Sequence, residues 1–273
     1  MSDSRTALKS VERALAILRA FSNLGPELSL SELARHVGLA KSVVHRSLST
    51  LVDTGFLVQD ATTHRYRIGP ESLALGLAAL STEDLPQLAQ PYMEAIRSQT
   101  RETSTLSLLV GDQRVYASQL ESPQDVRMTV EVGTKRWPLY AGSSGRAVLA
   151  GFTREQLDEY LASVQLSPLT QNTIASKSAL IDSLSVVRDL GYAVSAGERD
   201  PWAASVASPI FGRRGEVLGS VSVCGPIFRF TPDLIHGYGK LVRSSAEAIS
   251  GILAAHAKPA AGELKAAATE RDN

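Results

Sequence analysis

The stretch "LSLSELARHVGLAKSVVHRSLSTLVDTGFL", residues Leu28–Leu57, holds two helical patterns separated by one glycine and closed by another. Ser29 and Glu32 stand at capping-box spacing, the serine oxygen accepting from the first helical turn and the glutamate reaching back. A helix is therefore expected over about Leu30–Val37. Gly38 ends it, "GLA" makes a tight turn, and a second helix runs from near Lys41 to Gly55, which can adopt the left-handed cap conformation. Val44, Leu48, Leu51 and Val52 recur at helical spacing and mark the buried side. The opposite side carries Lys41, Ser42, His45, Arg46 and Ser49. Taken alone, such a stripe is the ordinary solvated face of a helix.

Its surroundings change that reading. Upstream, Leu15, Ile17, Leu18 and Phe21 give an apolar helix face over Val11–Phe21, broken by Gly25 and Pro26. Downstream, "FLVQDATTHRYRIG" reads as two short strands, Phe56–Gln59 and Arg65–Ile68, around a polar turn. Helix, turn, helix and basic hairpin is the order of a winged helix-turn-helix, whose second helix enters the major groove. In that setting Lys41 and Ser42, at a helix N-terminus, suit a phosphate. Arg46 has the planar fork for guanine N7 and O6. His45 and Ser49 reach toward base edges. His64, Arg65 and Arg67 on the hairpin suit phosphate or the minor groove. Strand alternation puts Arg65 and Arg67 on one side and Tyr66 on the other. Arg35, on the supporting helix, is a further phosphate candidate.

Charge and size fit this frame. The 273 residues carry 28 Lys+Arg against 28 Asp+Glu, which argues against a protein that coats nucleic acid indiscriminately. Residues 1–70 hold 9 basic against 6 acidic side chains, a small local excess compatible with phosphate contacts. The length suits two modest domains. No apolar run of about 18 residues suggests a membrane span. The charged N-terminus lacks a signal-peptide core. The single cysteine, Cys224, permits no intrachain disulfide. The expected location is the cytoplasm.

Beyond the hairpin, Pro70 opens the Ala/Leu-rich "PESLALGLAAL", read as a helical connector. Two helix signals follow, "STEDLPQLAQ" and "PYMEAIRSQTRE". From Glu102 the pattern turns to strands: "TSTLSLLVG" and "RVYASQLES" as a hairpin, then "VRMTVEVG". Helices are expected at about Ser144–Ala150, Arg154–Ala162 and Ser176–Leu190. "GYAVSAGE", "AASVASPIF" and "VLGSVSVCG" are further strands, and Thr231 opens a last helix to about His256. The tail has little apolar material and is expected to be disordered. The resulting division is 1–70 for DNA binding, 71–90 as a linker helix, 91–258 as a second domain and 259–273 as the tail.

These features together resemble the IclR family of bacterial transcriptional regulators. The resemblance rests on "SVERALAIL", the opening stretch, "YRIG", "PLYAGSSGRAVLA", "GYAVSAGE", "VASPIF" and "GSVSVCGP", in that order across nearly the whole chain. It implies an α+β protein: an N-terminal winged helix-turn-helix, a linker helix and a C-terminal GAF/PAS-like α/β effector-binding domain. It also implies a homodimer or dimer of dimers on double-stranded operator DNA, controlled by a small organic acid or aromatic effector. Repression is the expected output, with activation left open. The effector site implied by the family maps onto Ser143, Ser144, Ser195, Ser205, Ser222 and Cys224. Two of these depart from the pattern: Ser195 stands where members often have an acid, and Ser205 where many have cysteine. A serine on a buried strand can equally satisfy only its own backbone, and Cys224 can be a small buried hydrophobe. Arg127 and Met128 are placed near the mouth; Trp137, Tyr140 and Trp202 either stack on a flat ligand or pack in the core.

Two rival classes fit less well. "GSSGR" lacks the Gly-x-Ser-x-Gly of a nucleophile elbow. The five histidines, His36, His45, His64, His236 and His256, form no local metal motif, and no lysine-bearing phosphate loop occurs. Neither an enzyme nor a cofactor or metal is expected. A winged helix that binds protein instead of DNA is the second rival, and the basic stripe and hairpin speak against it.

Overall fold

The computed structural model describes residues 8–75, 85–133 and 135–255. They form two compact units, one built on the chain up to Leu85 together with Glu131–Arg136, the other on Pro86–Val130 and the chain from Trp137 onward. The expected linker over 71–90 lies partly, and the tail over 259–273 wholly, outside the described residues.

The first unit contains α1 (Lys9–Leu24), α2 (Leu30–Val37) and α3 (Lys41–Asp53). Three short strands follow the same chain order: β1 (Glu27–Leu28), β2 (Leu57–Gln59) and β3 (Tyr66–Ile68). Helix α1 is longer at both ends than the apolar spacing predicts. Leu8 C=O accepts from the N–H groups of Val11 and Glu12 at its start, and Gly25, at φ +126°, stops it. In α2 the capping box forms as expected: Glu32 N–H donates to Ser29 Oγ at 3.3 Å, and Ser29 N–H donates to Glu32 Oε2 at 2.7 Å. Gly55 takes its positive φ one residue past the α3 cap, Thr54. Ile17, Phe21, Leu33, Val44, Leu48 and Leu57 are buried in one core against the three helices. The third strand of this sheet, β1, was not expected. Its two residues pair with β3, Glu27 opposite Arg67 and Leu28 opposite Tyr66. Two residues carry no period, so only the partner strand reveals them. Residues 70–75 are helical (α4), as far as the connector is described.

The second unit opens with α5 (Leu85–Thr100), a single helix where two signals were expected. Pro91 lies inside it, yet Leu85, Ala89, Met93 and Ile96 continue one buried face past the proline. Burial along that face outweighs one lost backbone hydrogen bond. A six-stranded sheet follows. Its strands are β4 (Thr103–Val110), β5 (Gln113–Leu120), β6 (Arg136–Pro138), β7 (Ala193–Ala196), β8 (Ala203–Phe211) and β9 (Val217–Pro226). Their order in the sheet is β6-β5-β4-β9-β8-β7. Helices α6 (Ser143–Ala150), α7 (Arg154–Ser163) and α8 (Lys177–Leu190) follow β6. Ala147 of α6 and Val187 of α8 meet Ala193 and Ala207 of the sheet. The long α9 (Pro232–Ala255) packs on β7, β8 and β9 from the other face.

One expected strand is absent. "VRMTVEVG" has no ladder pairing. Its backbone is met by side chains instead: Thr103 Oγ1 donates to Met128 C=O at 2.6 Å, and Val130 N–H donates to Gln119 Oε1 at 2.7 Å. The pairing on β5 goes to β6. The displaced segment becomes the wall of a cavity.

Candidate nucleic-acid interface and ligand cavity

The exposed face of α3 is set by its buried one. Val44, Leu48 and Leu51 fix the helix on the core, so Lys41, Ser42, His45, Arg46 and Ser49 all face solvent. Among the described residues none of these five has an ion-pair or hydrogen-bond partner through its side chain. The N-cap is Ala40, which offers no side-chain acceptor. The start of α3 thus has no side-chain cap. Helix α2 differs, because its capping box already fills that role.

The hairpin is built tightly at its tip. Asp60 Oδ1 accepts from Thr62 N–H at 2.9 Å and Thr63 N–H at 2.7 Å, and His64 takes a positive φ of 55°. These bonds, those from Thr63 foremost, hold the Asp60 carboxyl below its ordinary pKa. His64 and Arg67 are exposed and Tyr66 is buried, as alternation requires. Arg65 behaves differently from the expectation of a free DNA contact. Its Nη2 donates to Glu32 Oε2 at 3.0 Å and to Glu27 C=O at 2.9 Å. It ties the hairpin to the capping box of α2 and to β1. Arg35 is exposed on α2 beside His36.

In the second unit, all six serine and cysteine candidates lie on one cavity. Ser143 and Ser144 stand at the start of α6, Ser195 on β7, Ser205 on β8, and Ser222 and Cys224 on β9. The open volume is about 30 Å³. Gly145 explains how α6 starts here: a Cβ on it would stand 2.2 Å from Leu139 C=O, so only glycine allows this close approach. Several hydroxyls already have partners. Ser143 Oγ and Ser205 Oγ share a hydrogen bond of 2.7 Å, and Ser222 Oγ shares one of 2.6 Å with Thr105 Oγ1. Ser144 turns its carbonyl to Ser220 Oγ at 3.1 Å. Burial pushes the Cys224 thiol up to about 12, so it stays neutral at ordinary pH.

Three side chains that sequence reasoning missed shape the same wall. Arg114 and Tyr116 project from β5, and Arg199 from the turn after β7. Arg114 is 1% exposed, its guanidinium carbon 4.7 Å from the Tyr116 ring centre. Burial lowers its pKa from the usual range. Arg199 donates to Tyr116 Oη at 2.5 Å and lies 4.4 Å over the Trp137 ring. A charged residue two before a tyrosine in "QRVYA" looks like alternation with solvent; only the folded chain, which brings Met128–Val130 and Gly142 to the same cavity, shows that this face is covered.

A buried ion pair stands behind the wall. Arg146 Nη2 donates to Glu198 Oε1 at 2.5 Å and also to Val194 C=O, and Glu198 Oε2 accepts from Gly142 N–H at 3.0 Å. Burial raises the Glu198 pKa, opposed by Arg146. The remaining candidates part ways. Met128 lines the cavity, whereas Arg127 pairs with Glu121 at 2.8 Å toward solvent. Tyr140 is core, its hydroxyl donating to Ser167 C=O at 2.8 Å. Trp202 is 75% exposed and off the cavity. Among the described residues no group of three or more His, Cys, Asp or Glu could hold a metal, and no helix is long and apolar enough to cross a membrane.

Comparison with known proteins agrees with this architecture in both units. Residues 10–61 match the IclR helix-turn-helix domain, and residues 77–251 match the C-terminal domain of the bacterial transcriptional regulator IclR. The HTH-type transcriptional regulator KipR of Bacillus subtilis is 31% identical over 242 residues, 89% of this chain and 96% of its own. The crystal structure of an IclR transcriptional regulator from Silicibacter sp. TM1040 superposes with a TM-score of 0.84 at 29% identity, covering 92% of this chain and 98% of that one. An IclR homologue from Microbacterium hydrocarbonoxydans, solved in complex with 4-hydroxybenzoate, gives a TM-score of 0.75 at 25% identity over 90% of this chain and 100% of that one. With a winged helix-turn-helix followed along the sequence by a six-stranded α/β unit, the chain belongs to the IclR family of transcriptional regulators.

Proposed function

We propose that the chain binds a specific operator as a dimer or a dimer of dimers through α3, and that a small organic ligand in the second unit's cavity controls that binding. The observation that carries the DNA half is the stripe on an α3 whose N-terminus has no side-chain cap. Lys41 and Ser42 hold a phosphate at the helix N-terminus. Arg46 reads a guanine, with His45 and Ser49 at neighbouring base edges. His64 and Arg67 touch the backbone or minor groove from the hairpin, and Arg35 a flanking phosphate. Arg65 holds the hairpin in place and reaches DNA only at its exposed edge.

The ligand half is supported by the convergence of six small polar side chains and two guanidiniums on one cavity beside the start of α6. Such a site, largely closed with a few placed polar groups, suits a small molecule. The Microbacterium homologue with 4-hydroxybenzoate offers a precedent for an organic acid. Ligand binding changes the spacing of the two recognition helices in the dimer, and half-site spacing governs affinity. The reading places the protein in the cytoplasm and assigns it regulation by binding, without turnover, repression being its direction.

The test is footprinting of the full-length protein on the DNA upstream of its own gene. Protection of two half-sites one helical turn or a multiple apart is expected, at concentrations that leave unrelated DNA free. Equal binding to every fragment sinks the proposal. A reporter on the same promoter rises on deletion of the gene if repression is right, and falls if the protein activates.

A further inference from the structure

We propose that Arg13 of α1 is a DNA contact: it grips the backbone phosphate beside the base that Arg46 reads, and so sets the register of α3. This rests on the reading of α3 given above. The observation is a groove between α1 and α3 with about 370 Å³ of open space. Ser10 and Arg13 line it from α1, and Arg46, Ser47 and Thr50 from α3. Two guanidiniums thus share one space, and no carboxylate is among the residues that line it. Neither is answered elsewhere: among the described residues the side chains of Arg13 and Arg46 enter no ion pair and no hydrogen bond. The hydroxyls of α3 are already spent. Ser47 Oγ donates to Val43 C=O at 3.4 Å, and Thr50 Oγ1 to Arg46 C=O at 3.2 Å. What the groove offers an outside group is guanidinium N–H, with the hydroxyl of Ser10 beside it.

The size of the major groove says what that group is. A helix with its side chains is about 10–12 Å across, and the major groove is about 12 Å wide. Helix α3 therefore fills the groove, and an element packed beside it meets the wall, which is sugar and phosphate. Arg13 stands on that flank, next to the one member of the stripe, Arg46, that also lines the space between the helices. A guanidinium fork matches two phosphate oxygens at once, and two like charges in one groove are relieved by an anion between them. Arg13 is half-buried, so part of its rotamer freedom is gone before DNA arrives. Arg19 supplies the contrast. It lies six residues further along α1 and lines a different groove, against α2, together with Glu12 and His36. That groove holds a carboxylate, and no residue of the α3 stripe lines it. Helix α1 thus presents one arginine to the reading face and one away from it.

The experiment uses the full-length protein on the operator duplex that footprinting defines. Arg13→Met keeps the apolar stem and removes the charge. It is expected to weaken binding roughly tenfold, to keep the base preference at every position, and to make the salt slope shallower by about 2 per dimer. Arg13→Lys recovers part of the affinity, and Arg19→Met binds as the wild type does. Single phosphates are then replaced by neutral methylphosphonates. In each half-site, one replacement beside the base read by Arg46 is expected to weaken the wild type and to leave Arg13→Met unchanged. Wild-type affinity in Arg13→Met overturns the proposal, as does a loss of base preference in that variant. So does a wild type indifferent to every phosphate beside that base, a result that stands whether or not the variant folds. Arg46→Ala separates the two readings. If it weakens binding while Arg13→Met does not, only the Arg13 contact falls; if it too binds as the wild type does, the reading of α3 falls with it.

Discussion

At the residue scale, chemistry rather than charge separates the cations of the first unit. Arg46 and Arg67 are both exposed, but one projects from the recognition helix and the other from the hairpin. A guanidinium on base edges carries sequence information, and one on phosphate does not. Arg46→Ala is therefore expected to weaken operator binding by about 1–3 kcal/mol and to relax selectivity at one base position. Arg67→Ala is expected to weaken operator and unrelated DNA alike. Gel-shift titrations on an operator and its single-base variants distinguish the two, and equal selectivity loss in both would refute the assignment. Arg65 shows why position on a strand is not enough. The sequence puts it beside Arg67, yet Glu32 and the Glu27 carbonyl have claimed it.

At the element scale, one cap organises the first unit. Ser29 and Glu32 close the start of α2, and Glu32 then receives Arg65 from the hairpin. The Glu32 carboxyl is held below its ordinary pKa, first by the Ser29 backbone N–H and last by Arg65. Because the folded value is lowered, its stabilising effect is present above the ordinary carboxylate range and is lost as acid protonates it. Ser29→Ala removes the serine's half of the box and is expected to cost about 0.5–2 kcal/mol. Urea denaturation of the first unit at neutral pH checks this. An unchanged midpoint would mean that the hairpin, and not the cap, holds α2. The Glu32–Arg65 pair itself is partly exposed and adds little of its own, since such bridges are screened.

At the scale of the whole molecule, net charge is balanced at 28 against 28, so affinity for DNA must come from local contacts. With Arg13, Lys41, Arg67 and Arg35 each on a phosphate, a dimer neutralises about eight phosphates, and log affinity against log salt should fall with a slope of about −7. A slope near half that value indicates a single protomer on the DNA; a slope near zero excludes the phosphate assignments altogether. Titrations of operator binding across a salt series give the number directly.

The local code was enough for the winged helix. The capping box, the glycine stops and the apolar period of α3 are all short-range signals, and they act within a few residues of where they are read. The strands β4, β5, β8 and β9 were legible for the same reason. The five serines and the cysteine came from the family resemblance, and it is the fold that brings them to one cavity. Tertiary structure decided what depends on a distant partner. Two residues became β1 only because β3 lay beside them. "VRMTVEVG" lost its ladder to Thr103 and Gln119, and α5 ran through Pro91 because a continuous face was buried. Nothing local in the chain marks Arg114 for burial, and only the folded chain makes it a buried cation on the cavity wall. Hydrophobic period and capping are properties of a segment; burial of charge is a property of what folds over it.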